Sequence, residues 1–512
     1  MGDLATGPRP HRTAESLADK GAYNVLNTLL VVARSLILSI LVARALGPSL
    51  QGLYSILLYV TQVGVQVVSL GFPSTLVRFV ARRNSEGDKA GARAVVASIV
   101  RREIVLGLVA TVTCALLAGA LAVGVGQDAP RALFLLAALA ILPDSLTLVY
   151  EAAFEGLLAY SLLLRINLAL VPLSLAAAGA ILLSGGGIGE LLILKVALAV
   201  VRVALYWRVI GRRLPAGGTL MADTRSQMSR YTRSLTAIFL FDAVVWQRSE
   251  MLFLGLYCSR AAIAFYDIAY QVVGTTMRTL PEKLTDILFP VLSGLEQRGE
   301  RERTAALYQR SVRLLFAVTL GISVTLGVCA GRLISLAYGP EYAPAADVIR
   351  VLCAAAPVVI VARATAYVLY AAGWQNFNVR LAGAAAALNI LLAMVLIPRS
   401  GVVGAAVANS LTQVLSVCVL VSYVVRRSHA RLPWDAMLRT LLAAAAQMTV
   451  MIWLDRVLGG WGALAGSAVC GVATYGAALM AMRVLTADER AMLARWIRRI
   501  LGMRRTSAGG RN

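Results

Sequence analysis

The sequence predicts an all-α polytopic membrane protein with about 14 transmembrane helices. Of its 512 residues, 59% are hydrophobic, and the mean hydropathy is +0.75, well above that of an ordinary globular chain. Apolar runs of about 20 residues, enough to cross a hydrocarbon core of about 30 Å as a helix, recur along nearly the whole chain. The basic residues behind the net charge of +23 lie mostly in alternate connections, a distribution typical of cytoplasmic loops. We therefore expect a multi-pass protein of the cell (inner or plasma) membrane with both termini in the cytoplasm, and no nucleic-acid partner.

The apolar runs fall into two halves that resemble each other. Leu46-Gly47 precedes Tyr54 at the head of the second predicted helix, and Leu254-Gly255 precedes Tyr266 at the head of the eighth. Internal repeats of this kind are how many transporters build two bundles around a central site. The predicted order is a cytoplasmic N-terminal segment (1–22), a six-helix bundle (23–210), a cytoplasmic linker (211–233), a second six-helix bundle (234–425), two additional transmembrane helices (438–484) and a basic amphipathic cytoplasmic tail (485–512).

The first predicted helix, Tyr23–Leu46, carries a charge near its middle. Arg34 lies about three turns from either end, too deep to reach water easily, and such a charge costs at least a few kcal/mol unless it faces water or a partner. Asn27 falls on the same polar side of the helix. A solvated cavity is one reading of this side, and a buried structural ion pair is the other.

The second predicted helix, Leu53–Phe72, repeats the arrangement with uncharged side chains. Tyr59, Gln62 and Gln66 recur at spacings of three and four, so they share one face. Ser and Gln also join membrane helices by hydrogen bonds without any transport role. The stripe therefore predicts either a polar cavity wall or interhelical hydrogen bonding.

The eighth predicted helix carries a similar polar face. Asp267, Gln271 and Arg278 lie on it, and Gln271 stands as far from Tyr266 as Tyr59 stands from Tyr54. The tenth helix adds Arg363 near its middle. These side chains extend the predicted cavity into the second half of the chain.

The seventh predicted helix, 234–256, is the most charged. Asp242, Arg248 and Glu250 do not share one face, so at least one of them is expected to pair with a neighbouring helix. Arg78, at the end of the second helix, begins a strongly basic connection. That connection is read as a topology signal that contacts anionic headgroups, or as a cytoplasmic gate whose Arg78 meets an entering phosphate.

The sequence gives no sign of an enzyme. The outer connections are all short, so no domain stands outside the membrane to hold a catalytic site. The six cysteines have no paired spacing for zinc or redox chemistry. We therefore expect neither a metal nor another cofactor.

Short motifs spread from about Tyr23 to Val425 resemble the oligosaccharide flippase (Wzx-type polysaccharide biosynthesis) family of the multidrug/oligosaccharidyl-lipid/polysaccharide (MOP) exporter superfamily. Small residues in such motifs also have a structural role, because they let helices pack closely and turn sharply. The motifs are Leu46-Gly47-Pro48, Gly52-Leu53-Tyr54, Gly71, Arg78, Glu250, Leu254-Gly255, Tyr266, Leu288-Phe289-Pro290, Tyr338-Gly339-Pro340-Glu341-Tyr342, Gly373, Asn389, Ile397-Pro398 and Gly401-Val402-Val403-Gly404-Ala405-Ala406.

The resemblance implies a flippase that moves a polyprenyl-diphosphate-linked oligosaccharide from the inner to the outer leaflet by alternating access. It also implies membrane lipids, this glycan and other polysaccharide-assembly proteins as partners. A diphosphate carries about two negative charges, which arginine binds well in a low-dielectric setting. Arg34, Arg248, Arg278 and Arg363 are the candidate cations, and if transport is ion-coupled the candidate carboxylates are Asp242, Glu250 and Asp267.

Other functions stay open at this point. Two helices beyond the twelve also occur in the lipid II flippase branch, so a peptidoglycan precursor is an alternative substrate. A multidrug or cation antiporter of the same superfamily is a second alternative, although Arg34 without a carboxylate in the first helix favours an anion. A membrane glycosyltransferase would need acidic residues or a domain on an outer loop, and a scaffold that transports nothing would tolerate the loss of Arg34.

Overall fold

The computed structural model is helical throughout the part of the chain that it describes. The described residues are 10–124, 130–215, 217–246, 248–285, 294–295, 298–428, 431–457, 460–484, 486 and 489–490. Positions 1–9 of the predicted N-terminal segment and most of the predicted tail, 485–512, lie outside them.

We number the helices in chain order. They are α1 (Pro10–Ser69), α2 (Phe72–Ser85), α3 (Lys89–Gly124), α4 (Arg131–Leu139), α5 (Ile141–Gly156), α6 (Tyr160–Leu183), α7 (Ile188–Arg213), α8 (Ala222–Trp246), α9 (Glu250–Tyr257), α10 (Arg260–Thr285), α11 (Arg301–Ala337), α12 (Pro344–Val359), α13 (Val361–Ala371), α14 (Gln375–Arg427), α15 (Trp434–Val457) and α16 (Gly460–Ala481), with a short 3₁₀ turn at Pro340–Tyr342.

Nine helical stretches among the described residues are long and apolar enough to cross a membrane. Two of them, Gly21–Ser69 and Asn376–Arg427, are 49 and 52 residues long, which is twice the length that one crossing needs. Each contains a glycine with positive φ, Gly47 (75°) and Gly401 (55°), where the backbone leaves the helix. These long stretches therefore hold the first and second and the eleventh and twelfth predicted helices, and the all-α polytopic fold class is confirmed.

Other predicted helices are interrupted. The fourth predicted helix breaks at Ala140, between α4 and α5. Pro143 has no N–H, so it cannot donate the helical hydrogen bond to the carbonyl oxygen of Leu139. The tenth breaks at Ile360, near Pro357. In contrast, Pro172 lies inside α6 without ending it.

The seventh predicted helix is not continuous. It ends at Trp246 as α8 and resumes at Glu250 as α9, and between them Arg248 has a φ of 60°. Positive φ is uncommon for a residue with a side chain and is found most often at functional or strained positions. The expectation that Arg248 and Glu250 lie on different faces of one helix does not apply, because no helix joins them.

The chain forms two compact units that do not follow chain order. The first comprises 1–275, 337–348 and 376–413, and the second comprises 276–336, 349–375 and 414–512. The division into six-helix bundles at 23–210 and 234–425 stays a prediction.

The first unit has an apolar core where α2, α3, α5 and α7 meet. Leu76, Ile99, Phe154 and Tyr206 are fully buried there, and the rings of Phe154 and Tyr206 meet edge to face at 5.2 Å. Close packing of such side chains holds membrane helices together through van der Waals contacts. This core fixes α5 and α7, which carry the charged residues described below.

In the second unit, α15 and α16 are held against α11 by polar contacts. The hydroxyl of Tyr475 donates to the carbonyl oxygen of Ala317 at 2.6 Å, and the side-chain amide of Gln447 donates to Thr325 Oγ1 at 2.8 Å. Gln447 is fully buried. Because an unmade hydrogen bond is expensive away from water, these contacts fix the two additional helices in register with α11.

The start of the C-terminal segment is tied to α11 by ion pairs. Glu489 accepts hydrogen bonds from Arg310 Nε and Arg313 Nη2, both at 2.8 Å, and from the backbone amide of Thr486 at 2.9 Å. Burial opposes ionisation of Glu489, but these donors outweigh it and hold the pKa of the carboxyl below its usual value. The rest of the predicted amphipathic tail lies outside the described residues.

Gly52 is expected to be the least replaceable glycine of the first unit. A Cβ atom there would lie 1.7 Å from the carbonyl oxygen of Arg260, so the backbone would have to move. We expect Gly52→Ala to destabilise the protein by about 3 kcal/mol or more, seen as a lower thermal unfolding midpoint in detergent. The control is Gly274→Ala, where nothing lies within 4 Å and alanine favours the helix. Equal midpoints for the two variants would show that α1 and α10 do not pack this closely.

Candidate functional site

Five charged side chains of α1, α5 and α7 come together in the first unit, and we call them the charge cluster: Arg34, Asp144, Glu151, Lys195 and Arg202. Asp144 and Glu151 lie two turns apart on α5, and Lys195 and Arg202 lie two turns apart on α7. Residues at this spacing share one face of a helix. Two carboxylates therefore face two cations, and Arg34 adds a third positive charge from α1.

The two carboxylates of the charge cluster are bonded differently. Asp144 forms an ion pair with Lys195. Glu151 instead accepts a hydrogen bond from the hydroxyl of Tyr206 at 3.2 Å and interacts electrostatically with Arg202 and Arg34. The Nε atom of Arg202 is buried without a hydrogen-bond partner among the described residues. Asp144 and Lys195 thus form an ion pair, whereas Glu151 and Arg202 do not form one among the described residues.

Arg34 lies among these charged residues, so its own charge is surrounded by polar groups. It is half-buried and interacts with Asp144 and Glu151, and unfavourably with Arg202. On the same helix Asn27 is buried and accepts a hydrogen bond from Asn167 Nδ2 at 2.8 Å. The polar side of the first predicted helix therefore contains both a charged centre and an interhelical hydrogen bond.

The polar stripe of the second predicted helix meets the interrupted seventh helix and α10. Ser55 Oγ donates to Asp267 at 2.6 Å, and Gln62 Oε1 accepts from Arg248 Nη2 at 2.9 Å. Arg248 and Asp267 form an ion pair, and the Arg248 guanidinium lies 5.6 Å from the ring centroid of Tyr270. The left-handed backbone at Arg248 thus aims its side chain at three groups from two helices.

The remaining stripe residues lie on the same two helices. Tyr59 is buried and interacts electrostatically with Glu250 and Arg248. Gln271 donates to Ser35 Oγ at 2.5 Å, and Gln66 is half-buried further along α1. Most of the predicted stripe is therefore used in contacts between helices.

Glu250, fully buried, is the centre of a second polar group. Its carboxylate accepts hydrogen bonds from Asn389 Nδ2 at 2.8 Å, Asn409 Nδ2 at 2.9 Å and the hydroxyl of Tyr266 at 3.1 Å. Gln413 in turn donates to Asn409 at 2.8 Å. One buried carboxylate therefore satisfies donors from α10 and α14.

The remaining predicted site residues are an arginine of the second unit, an exposed arginine of α2 and two residues whose side chains are not described. Arg363 is half-buried on α13 in the second unit. The side chains of Asp242, on α8, and Arg278, on α10, lie outside the described residues. Arg78 is exposed, and its guanidinium lies 4.4 Å from the ring centroid of Tyr231.

Sequence reasoning missed five members or partners of these groups. Asp144, Lys195 and Arg202 fell inside predicted helices without being proposed as site residues, and Glu151 fell one residue beyond the predicted end of its helix. Opposite charges repeated two turns apart on two apolar helices were the signal that could have found them. Asn409 carries no such signal, because nothing in the chain marks it as a partner of Glu250.

Two family models match the chain. The one described as polysaccharide biosynthesis protein matches residues 41–347, and the one described as lipid II flippase MurJ matches residues 252–464. No curated protein sequence matches closely enough to count as a relative. The predicted resemblance to the MOP exporter superfamily is confirmed by these matches together with the structural ones.

Several solved structures share the fold at low sequence identity. The lipid II flippase MurJ in an inward closed conformation has a TM-score of 0.69 at 12% identity, over 91% of this chain and 98% of that one. An inward-facing multidrug resistance MATE family transporter of the MOP superfamily has a TM-score of 0.65 at 14% identity, over 77% and 93%. A MOP superfamily transporter from Pyrococcus furiosus, described as having a binding pocket of reversed polarity, has a TM-score of 0.58 at 13% identity, over 80% and 94%. The fold is that of a MOP transporter.

Proposed function

The chain belongs to the polysaccharide biosynthesis protein family, and from that membership we propose that it is a flippase for a polyprenyl-diphosphate-linked oligosaccharide. The precursor of a cell-surface polysaccharide would pass from the inner to the outer leaflet of the plasma membrane by alternating access. Both termini would lie in the cytoplasm. The single observation that supports this substrate best is the charge cluster, in which three cations face two carboxylates inside a membrane-spanning bundle.

The charge of the substrate is the physical argument. A diphosphate diester carries about two negative charges, and bringing them into a low-dielectric region is costly unless fixed cations meet them. Arginine stays ionised and binds phosphate oxygens through paired N–H groups. Arg34 meets this requirement, because it has no carboxylate within ion-pairing distance among the described residues.

We also propose roles for the other predicted residues. Tyr59, Gln62, Gln66 and Gln271, with Asn27, would border the path of the glycan, and Arg248, Arg278 and Arg363 would supply further positive charge. Glu250, Asp242 and Asp267 are proposed for ion coupling, and Arg78 for the cytoplasmic entrance. Other polysaccharide-assembly proteins would be partners.

A second candidate substrate is lipid II. It is favoured by the match of residues 252–464 to the model described as lipid II flippase MurJ. The chemical demand is the same, because both substrates join a polyprenyl tail to a sugar through a diphosphate. A multidrug antiporter for cations fits less well, since a cationic drug would meet the excess positive charge of the charge cluster.

The proposal is tested by reconstitution of the full chain into proteoliposomes. Liposomes would contain a polyprenyl-diphosphate-linked oligosaccharide, lipid II or neither, and a sugar-modifying reagent added outside would measure how much glycan crosses. We expect protein-dependent crossing of the oligosaccharide substrate, and no protein-dependent uptake of a cationic dye. Crossing of lipid II alone would favour the second substrate. Dye uptake without glycan crossing would contradict both.

A further inference from the structure

One half of the charge cluster lacks a closed ion pair. Asp144 and Lys195 neutralise each other, whereas Arg202 makes no hydrogen bond or ion pair among the described residues and keeps a buried Nε atom without a partner. Arg34, from α1, also forms no ion pair among the described residues, and it repels Arg202. Two guanidinium groups that repel each other are unfavourable by themselves, and an anion that binds both relieves the cost.

Glu151 is a carboxylate that interacts electrostatically with both of these arginines. The groups that influence its ionisation most, apart from burial, are Arg202 and Tyr206 from α7, Glu155 from its own helix and Arg34 from α1. None of these four lies on α2, α3, α4 or α6, the other helices packed against α5. Glu151 therefore sets how much positive charge Arg34 and Arg202 offer to a ligand.

We propose that Glu151 is a proton-controlled competitor for the Arg34–Arg202 pair, so that the pair binds a diphosphate diester when Glu151 is protonated. The proposal rests on the proposed function and adds to it the residue that regulates substrate affinity. An ionised Glu151 attracts both guanidinium groups, and by repulsion it weakens the binding of an incoming anion. A protonated Glu151 is neutral and leaves both guanidinium groups to the phosphate oxygens.

The proton balance is simple. One proton from water joins a Glu151 oxygen, and no covalent bond is made or broken elsewhere. By linkage, if protonation of Glu151 strengthens diphosphate binding, diphosphate binding strengthens proton binding by the same factor. Tyr206 opposes this step, because its hydroxyl donates a hydrogen bond that favours the ionised form of Glu151.

The test measures binding to the purified full chain in detergent micelles by calorimetry. Two probes are used, UDP-glucose and a short-chain prenyl-diphosphate-glucose, because the diphosphate diester of each stays ionised throughout the pH range. The lipid-linked probe distinguishes a lipid headgroup from a free nucleotide sugar. We expect wild-type affinity for the lipid-linked probe to rise about tenfold between about pH 8 and about pH 5, which lies within the usual range of coupling between two binding events.

Three substitutions separate regulation from structure. Glu151→Gln is expected to bind tightly and to lose the pH dependence. Arg202→Gln is expected to lower affinity by about tenfold or more at every pH, because it removes a charged donor. Tyr206→Phe is expected to keep the pH dependence but move its midpoint to higher pH, and this variant still tests the proposal if Glu151→Gln does not fold.

The matched control is Glu155→Gln, one turn further along α5, where the side chain is exposed. It makes the same chemical change and is expected to keep a pH-dependent affinity, with the midpoint moved only slightly to lower pH because one repelling carboxylate is lost. A pH dependence that survives in Glu151→Gln, or a midpoint that Tyr206→Phe does not move, would overturn the proposal. Failure of the proposed function would look different, because proteoliposomes would then show no glycan crossing even though the two arginines still bound the probe.

Discussion

Replacement of Arg34 by glutamine is expected to slow crossing of the lipid-linked glycan by about a hundredfold, the effect of losing a bidentate arginine–phosphate contact in a low-dielectric site. Arg34 interacts with Asp144, Glu151 and Arg202, but no carboxylate holds it in an ion pair among the described residues. Its loss would therefore remove substrate binding more than it disturbs the fold. The rate is measured in proteoliposomes with glycan in the inner leaflet.

Arg165→Gln is the matched control for this variant. Arg165 is exposed on α6 in the same unit, and its replacement by glutamine removes the same charge. We expect it to transport at the wild-type rate. If Arg34→Gln and Arg165→Gln transported equally well, a cationic site at Arg34 would be wrong.

Replacement of Glu250 by alanine is expected to destabilise the protein by about 3 kcal/mol or more, because three buried donors lose their acceptor. These donors belong to Tyr266, Asn389 and Asn409, from α10 and both halves of α14. The carboxylate thus joins three segments that are far apart in the chain. The measurement is the thermal unfolding midpoint in detergent, followed by intrinsic fluorescence.

The control for Glu250 is Glu302→Ala, which removes an exposed carboxylate at the start of α11. It is expected to leave the midpoint unchanged. A wild-type midpoint for Glu250→Ala would show that water or another group replaces the carboxylate. Glu250 would then remain a candidate for ion coupling only, tested by whether Glu250→Gln loses a dependence of transport on a sodium or proton gradient.

The helical fold and the polar environment of Arg34 could be predicted from the sequence, because each depends on local pattern. A charge inside an apolar run stands out whatever the rest of the chain does, and runs of about 20 apolar residues admit few structures. The same reasoning found the stripe of Tyr59 and Gln62, since their spacing alone puts them on one face.

The partners of these residues depend on distant parts of the chain. Arg34 meets Glu151 and Arg202 only because α5 packs against both α1 and α7, and helical periodicity carries no information about which helices are neighbours. The break at Arg248 was missed for a related reason. Neither glycine nor proline marks it, and the contacts of Arg248 with Gln62 and Asp267 that accompany it come from other helices.

A cryo-EM structure of the protein with a short-chain prenyl-diphosphate-glucose bound tests the central claim most directly. If arginines of the charge cluster bind the phosphates, diphosphate density is expected within about 3 Å of the guanidinium nitrogens of Arg34 and Arg202, the distance of a charge-assisted hydrogen bond. Density for the diphosphate elsewhere, with both arginines facing only protein or lipid, would contradict it.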